Sequence, residues 1–223
     1  MAVAMLGLCG AAYALQSEAT VAPPSTPTAV DPALASVPAN DRGDQLVVLF
    51  GDSLTELAVA DVRTRFVADP ELRLSAHYYG GTELDTEAWT ELYPHVGAGS
   101  VVLLFLGIND VFDGTPAEAE RDAATAIDAA SAAGARRVVV GTVNTDGRSP
   151  QLGDDWAART RELNRWLREA DADELRFPTL EVAPWDLVSS GHPEWLNPDG
   201  IHLTVAGAAA YAEMIHDAAQ EPG

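Results

Sequence analysis

The stretch LNPDGIHLT, from Leu196 to Thr204, sets a histidine three residues after an aspartate. Nothing local needs it. A Pro-Asp-Gly turn forms without an imidazole, and Thr204 can cap the helix that follows. A carboxylate at that spacing on a turn can accept a hydrogen bond from Nδ1 and fix the tautomer. That leaves Nε2 to take a proton from a hydroxyl. The spacing therefore predicts Asp199 as the orienting acid and His202 as a general base. A surface turn histidine has the same local pattern, so the pair needs a nucleophile from elsewhere in the chain.

Gly51-Asp52-Ser53-Leu54 follows the apolar run QLVVLF directly. A serine at a strand-to-helix turn presents its hydroxyl at the edge of a sheet, beside a helix N-terminus that favours negative charge. The plainer alternative is that Ser53 or Thr55 only caps the helix. Thr55 stands where G-x-S-x-G needs its second glycine, so the α/β-hydrolase elbow is not supported. Gly107-Ile108-Asn109-Asp110 follows a second apolar run, VVLLFL. The Asn109 amide is a neutral donor suited to a developing oxyanion, with an Asx turn as the local alternative. Gly80-Gly81-Thr82 offers backbone amides without shielding side chains. Asp52 and Asp110 are expected to support their own turns.

These residues need a scaffold that gathers them, and the apolar pattern supplies one. Buried strands are expected at Gln45–Phe50, Glu71–Ala76, Val101–Leu106, Arg136–Val140 and Phe177–Val182. Between them lie helical patterns at Thr55–Val67, from Pro116 to Gly134, and at Trp156–Ala170. A closing helix runs over Thr204–Ala218. Alternation of this kind predicts a parallel sheet covered by helices on both faces. In such sheets ligands bind beyond the C-terminal ends of the strands, where the order reverses. If the first and third strands are neighbours, in the flavodoxin-like order, Ser53 and Asn109 lie side by side there.

Composition narrows the partners. The 223 residues carry 34 acids against 13 bases, all of them arginine, for a formal charge of −21. Such a surface repels phosphate backbones and anionic lipid, so nucleic acid and stable membrane insertion are not expected. A single cysteine, Cys9, allows neither an intrachain disulfide nor a cysteine zinc site. The N-terminal run has no charged side chain before Glu18 and carries Ala12-Tyr13-Ala14 as a small-x-small cleavage pattern. A signal peptide over 1–16 is therefore expected, with lipidation of Cys9 as the alternative and an extracellular or cell-envelope location. Residues 17–43, with five prolines among Ala, Ser and Thr, read as a linker, and the folded domain as 44–220.

The four blocks together resemble the SGNH hydrolase superfamily, the GDSL family of esterases and lipases, over about Val47 to Ala218. VVLFGDSLTE carries Ser53 at the nucleophile position, and LGIND carries Asn109 at the side-chain donor. PDGIHLT carries Asp199 and His202, and in YYGGTELD the oxyanion glycine best matches Gly80, with Gly81 the alternative. The resemblance implies a three-layer α/β/α sandwich with five parallel strands. It also implies an oxyanion hole of the Ser53 and Gly80 amides with the Asn109 side chain, and no metal or organic cofactor. The tail SGHPEWLNPDGIHLTVAG is similar to extracytoplasmic actinobacterial members.

The expected function is a monomeric serine esterase cleaving short-chain, acetyl-type esters of a small molecule or carbohydrate. An acyltransferase to polysaccharide hydroxyls shares the same site. A silent carbohydrate-binding module has no use for all four residues together. His77, His95, His192 and His216 lack ligand-spaced partners and read as surface or loop residues. Trp195 is a candidate wall of the acyl or sugar pocket, with core packing as its alternative.

Overall fold

The computed structural model describes residues 45–84, 93, 96–147 and 152–220. The expected signal peptide and linker, Cys9 and His95 lie outside them.

Five strands form one all-parallel sheet in the order β2-β1-β3-β4-β5: β1 Gln45–Gly51, β2 Leu72–Tyr78, β3 Val101–Phe105, β4 Arg137–Gly141 and β5 Leu180–Ala183. Every residue of β3 and β4 is buried. Helices cover both faces, so these strands read as continuous apolar runs and not as alternating ones. Each buried Val or Leu contributes about 2 kcal/mol of transfer free energy.

Helix α1, Ser53–Ala68, buries Leu54, Ala58, Val62 and Phe66, a stripe repeating every four residues. Asp52 is its N-cap, and Asp69 before Pro70 ends it. A Cβ on Gly51 would stand 2.1 Å from Thr55 Oγ1, so only glycine lets the helix leave β1 this tightly. The short α2, Ile108–Asp113, follows β3. Next come α3, Pro116–Ala132, opened by a Thr115/Glu118 capping box, and α4, Trp156–Asp171. The four-residue α5, Trp185–Val188, follows β5, and α6, Val205–Ala219, closes the domain behind its Thr204 cap.

Helices α1 and α6 pack side by side, and their contacts fix a register. Arg65 pairs with Glu213 at 3.2 Å, Phe66 meets the His216 ring edge-on at 5.4 Å, and Asp69 accepts from His216 Nε2 at 3.2 Å. All three run the same way along both helices, so the helices are parallel. Their offset is 147 to 150 residues, so the helices begin, at Ser53 and Val205, toward the same end of the pair.

Phe177 lies outside β5. Its amide closes a turn on Asp173 O at 2.9 Å, and its ring packs on Trp166 beneath the Arg176 guanidinium. Contacts with α4, not strand pairing, account for its burial.

Candidate active site

The sheet brings the predicted blocks to one rim. Gly51 pairs with Tyr78 on one side and Phe105 on the other, so β2, β1 and β3 end level. Ser53, Gly80 and Asn109 follow those ends.

Ser53 is the first residue of α1, and its side chain caps nothing. The cap is Asp52, which accepts from the Leu54 amide at 2.8 Å; neither Ser53 nor Thr55 takes that role. The Ser53 amide belongs to the first turn, where no intrahelical acceptor exists, and no described group takes it. Of the two candidate glycines, Gly80 is the one against the serine: a Cβ there would lie 3.8 Å from Ser53 Cβ, while one on Gly81 meets nothing within 4 Å.

Asn109 does not form the local Asx turn considered from sequence. Its Nδ2 donates to Thr82 O at 2.8 Å across the top of the sheet, which leaves the second N–H of the amide without a partner among the described residues. Asp110 takes its own backbone amide, as expected, and also reaches across the rim. Its two carboxylate oxygens accept from the Leu84 amide at 3.0 and 3.2 Å. Burial pushes the Asp110 carboxyl up to about 7 against the Leu84 bond, and the charges of Glu83 and Asp122 push the same way. Burial likewise pushes Asp52 up to about 7, against the Leu54 amide and with the charge of Asp110 adding to it.

The Asp-His turn is a closed loop. Asn197 N donates to His202 O at 2.7 Å, Asn197 Nδ2 to Leu203 O at 3.0 Å, and Thr204 N to Trp195 O at 2.8 Å. Within it Asp199 Oδ2 meets His202 Nδ1 at 2.9 Å, while Oδ1 accepts the Ile201 and His202 amides at the same distance. Partial burial pushes the Asp199 carboxyl up, but those amides and the imidazole outweigh it and hold it below its usual range. The tautomer with a proton on Nδ1 leaves Nε2 as the acceptor. No direct hydrogen bond joins Ser53 to His202 among the described residues; such bonds often tighten only around bound substrate.

Trp195 is part of an aromatic column: it stacks on Trp185 at 5.9 Å and under His192 at 4.0 Å, both nearly parallel. It also lines a groove of about 620 Å³ between β5 and α6, together with Arg137, Glu181 and Met214. None of Ser53, Asn109, Asp199 or His202 borders that groove, so it is separate from this site. His77 is not a loop residue: it lies in β2, stacked on Phe50 and hydrogen-bonded to Ser75 at 3.0 Å. Among the described residues no three His, Cys, Asp or Glu side chains gather as a metal site. No described helix is long and apolar enough to cross a membrane.

Residues 49–210 match the GDSL-like lipase/acylhydrolase family. A member of the lipolytic G-D-S-L family from Veillonella parvula superimposes with a TM-score of 0.62 at 17% identity, covering 78% of this chain and 97% of that one. The C-terminal catalytic domain of peptidoglycan O-acetyltransferase A from Streptococcus pneumoniae gives 0.56 at 20% identity, covering 78% and 92%. Peptidoglycan O-acetyltransferase OatA of Listeria monocytogenes is 35% identical over 63 residues, which are 27% of this chain and 10% of that protein. The match thus spans about a tenth of that relative's length.

Proposed function

The chain belongs to the GDSL-like lipase/acylhydrolase family, and from that premise we propose that it is an exported serine esterase acting on short-chain, acetyl-type esters. The observation that supports the reading is the Asp199–His202 pair at 2.9 Å, in the turn that leads into α6, the helix packed along α1, which begins at Ser53.

In this mechanism His202 Nε2 takes the Ser53 proton as Oγ attacks the acyl carbon. The carbonyl oxygen becomes an oxyanion, received by the Ser53 and Gly80 amides and the spare N–H of Asn109. Collapse of the tetrahedral adduct expels the alcohol, protonated by His202, and leaves the acyl group on Ser53. Water, deprotonated by His202, then attacks the acyl-enzyme and releases the acid. Preorganised donors of this kind supply most of the barrier reduction in acyl transfer.

A second reading, transfer of the acyl group to a sugar hydroxyl, is favoured by the 63-residue segment shared with OatA. The two share the acyl-enzyme and differ in its acceptor. The test is turnover of p-nitrophenyl esters of rising acyl length, with and without chitooligosaccharide or xylo-oligosaccharide, by wild type and Ser53→Ala. Steady release of free acid in water, acetyl fastest and absent in Ser53→Ala, is the expected result. Acylated sugar as main product, with little free acid in its absence, makes the enzyme a transferase. Near wild-type turnover by a folded Ser53→Ala protein sinks both readings.

A further inference from the structure

Gly80 and Asn109 follow strands that do not touch. In the order β2-β1-β3 the strand that leads to the serine separates them, so their exits stand about 9.6 Å apart, two strand spacings. Sheet hydrogen bonding ties each to β1 but not to the other. An oxyanion held by both therefore needs a link over the end of β1. The structure contains one, made by two consecutive residues.

Asn109 Nδ2 donates to Thr82 O, and next to it the Asp110 carboxylate accepts from the Leu84 amide. Both bonds land on the segment that leaves Gly80. That segment is otherwise closed on itself: Thr82 Oγ1 donates to Tyr79 O at 2.6 Å, and Tyr79 N donates to Gly51 O at 3.0 Å. It is a compact turn fastened to β1 at its start and to the exit of β3 at its end. Asp110 is 4% exposed and also accepts from its own backbone amide. Its carboxylate thus joins the first turn of α2 to the Leu84 amide.

We propose that Asp110 is a positioning residue, latching the loop of residues 79–84 to the exit of β3 so that the Gly80 and Asn109 amides converge on one oxyanion position. This rests on the esterase reading for its catalytic consequence, but the latch itself can be measured without it.

The experiment compares full-length wild type, Asp110→Ala and Asp110→Asn, each with and without Asn109→Ala, by amide hydrogen exchange and by p-nitrophenyl acetate kinetics. Asp110→Leu, which fills the space without an acceptor, replaces Asp110→Ala if the alanine variant does not fold. Asp110→Ala should speed exchange over residues 79–84 about tenfold or more. It should lower kcat about tenfold to a hundredfold with KM within about twofold, the signature of misplaced catalytic groups. Asp110→Asn keeps an acceptor oxygen for the Leu84 amide and should restore most of both. In the Asn109→Ala background, where one of the two donors is already gone, Asp110→Ala should cost less than it does in wild type. Unchanged exchange over 79–84 in a folded Asp110→Ala protein overturns the proposal. So does an equal kcat loss in both backgrounds, or Asp110→Asn as damaging as Asp110→Ala. If wild type turns over no ester, the esterase reading falls, and exchange alone decides the latch.

Discussion

Asp199 holds His202 through both carboxylate oxygens, one on the ring Nδ1 and the other on the His202 backbone amide, each at 2.9 Å. Ring and main chain are thus fixed by one side chain. In Asp199→Asn, Oδ1 can still accept the backbone amides, but Nδ2 would face Nδ1 as a donor and favour the wrong tautomer. The expected outcome is a fall in kcat on the order of a thousandfold or more with the unfolding temperature little changed. Activity within tenfold of wild type would remove Asp199 from the mechanism.

Asn109→Ala tests the side-chain donor. Loss of one oxyanion contact should lower kcat by about a hundredfold or more while KM stays near wild type. Steady-state kinetics on a short-chain ester decide it. A raised KM with kcat intact would make Asn109 a substrate-binding residue.

Asp52 gives a pH prediction. Its carboxyl is raised from 3.8 to about 7 in the folded protein, so between those values the folded state binds more protons than the unfolded chain. Wild type therefore loses stability as pH rises through that window and loses nothing further from this group above it. In Asp52→Asn the side-chain amide does not titrate, and its oxygen still caps α1. The unfolding temperature of Asp52→Asn relative to wild type should climb from pH 4 to 7 and then level off. A difference independent of pH would contradict the burial assigned to this carboxyl.

Removal of residues 1–40 should leave a folded, active protein, because β1 begins at Gln45 and the described core at Val47. Circular dichroism and ester turnover of the truncated chain check this. Failure to fold would show that the N-terminal segment packs on the domain.

What the sequence revealed depended on range. The five strands and four long helices were legible because each carries its own apolar pattern, and their ends shifted by only a few residues. Two short helices, Ile108–Asp113 and Trp185–Val188, were not, since one turn or so shows no periodicity. The Asp199–His202 contact was legible because its partners lie on one turn. The bonds from Asn109 to Thr82 and from Asp110 to Leu84 were not: each spans 26 or 27 residues and exists only once β1 has been laid between β2 and β3. Local chemistry offered an Asx turn at Asn109, which the bond to Thr82 replaced, and self-bracing at Asp110, to which the Leu84 bond was added.

The parallel register of α1 and α6 has a consequence for how the protein comes into being. Ser53 stands on the first helix and His202 at the entrance to the last, so the proposed nucleophile and its proposed base come from opposite ends of the domain. In chain order the serine, its glycine and its asparagine all precede the histidine by more than ninety residues. On the proposed mechanism that hydroxyl meets its proton acceptor only once the final helix has docked along the first, a contact of high sequence separation. Until that docking, the proposed serine nucleophile stands without its proposed base.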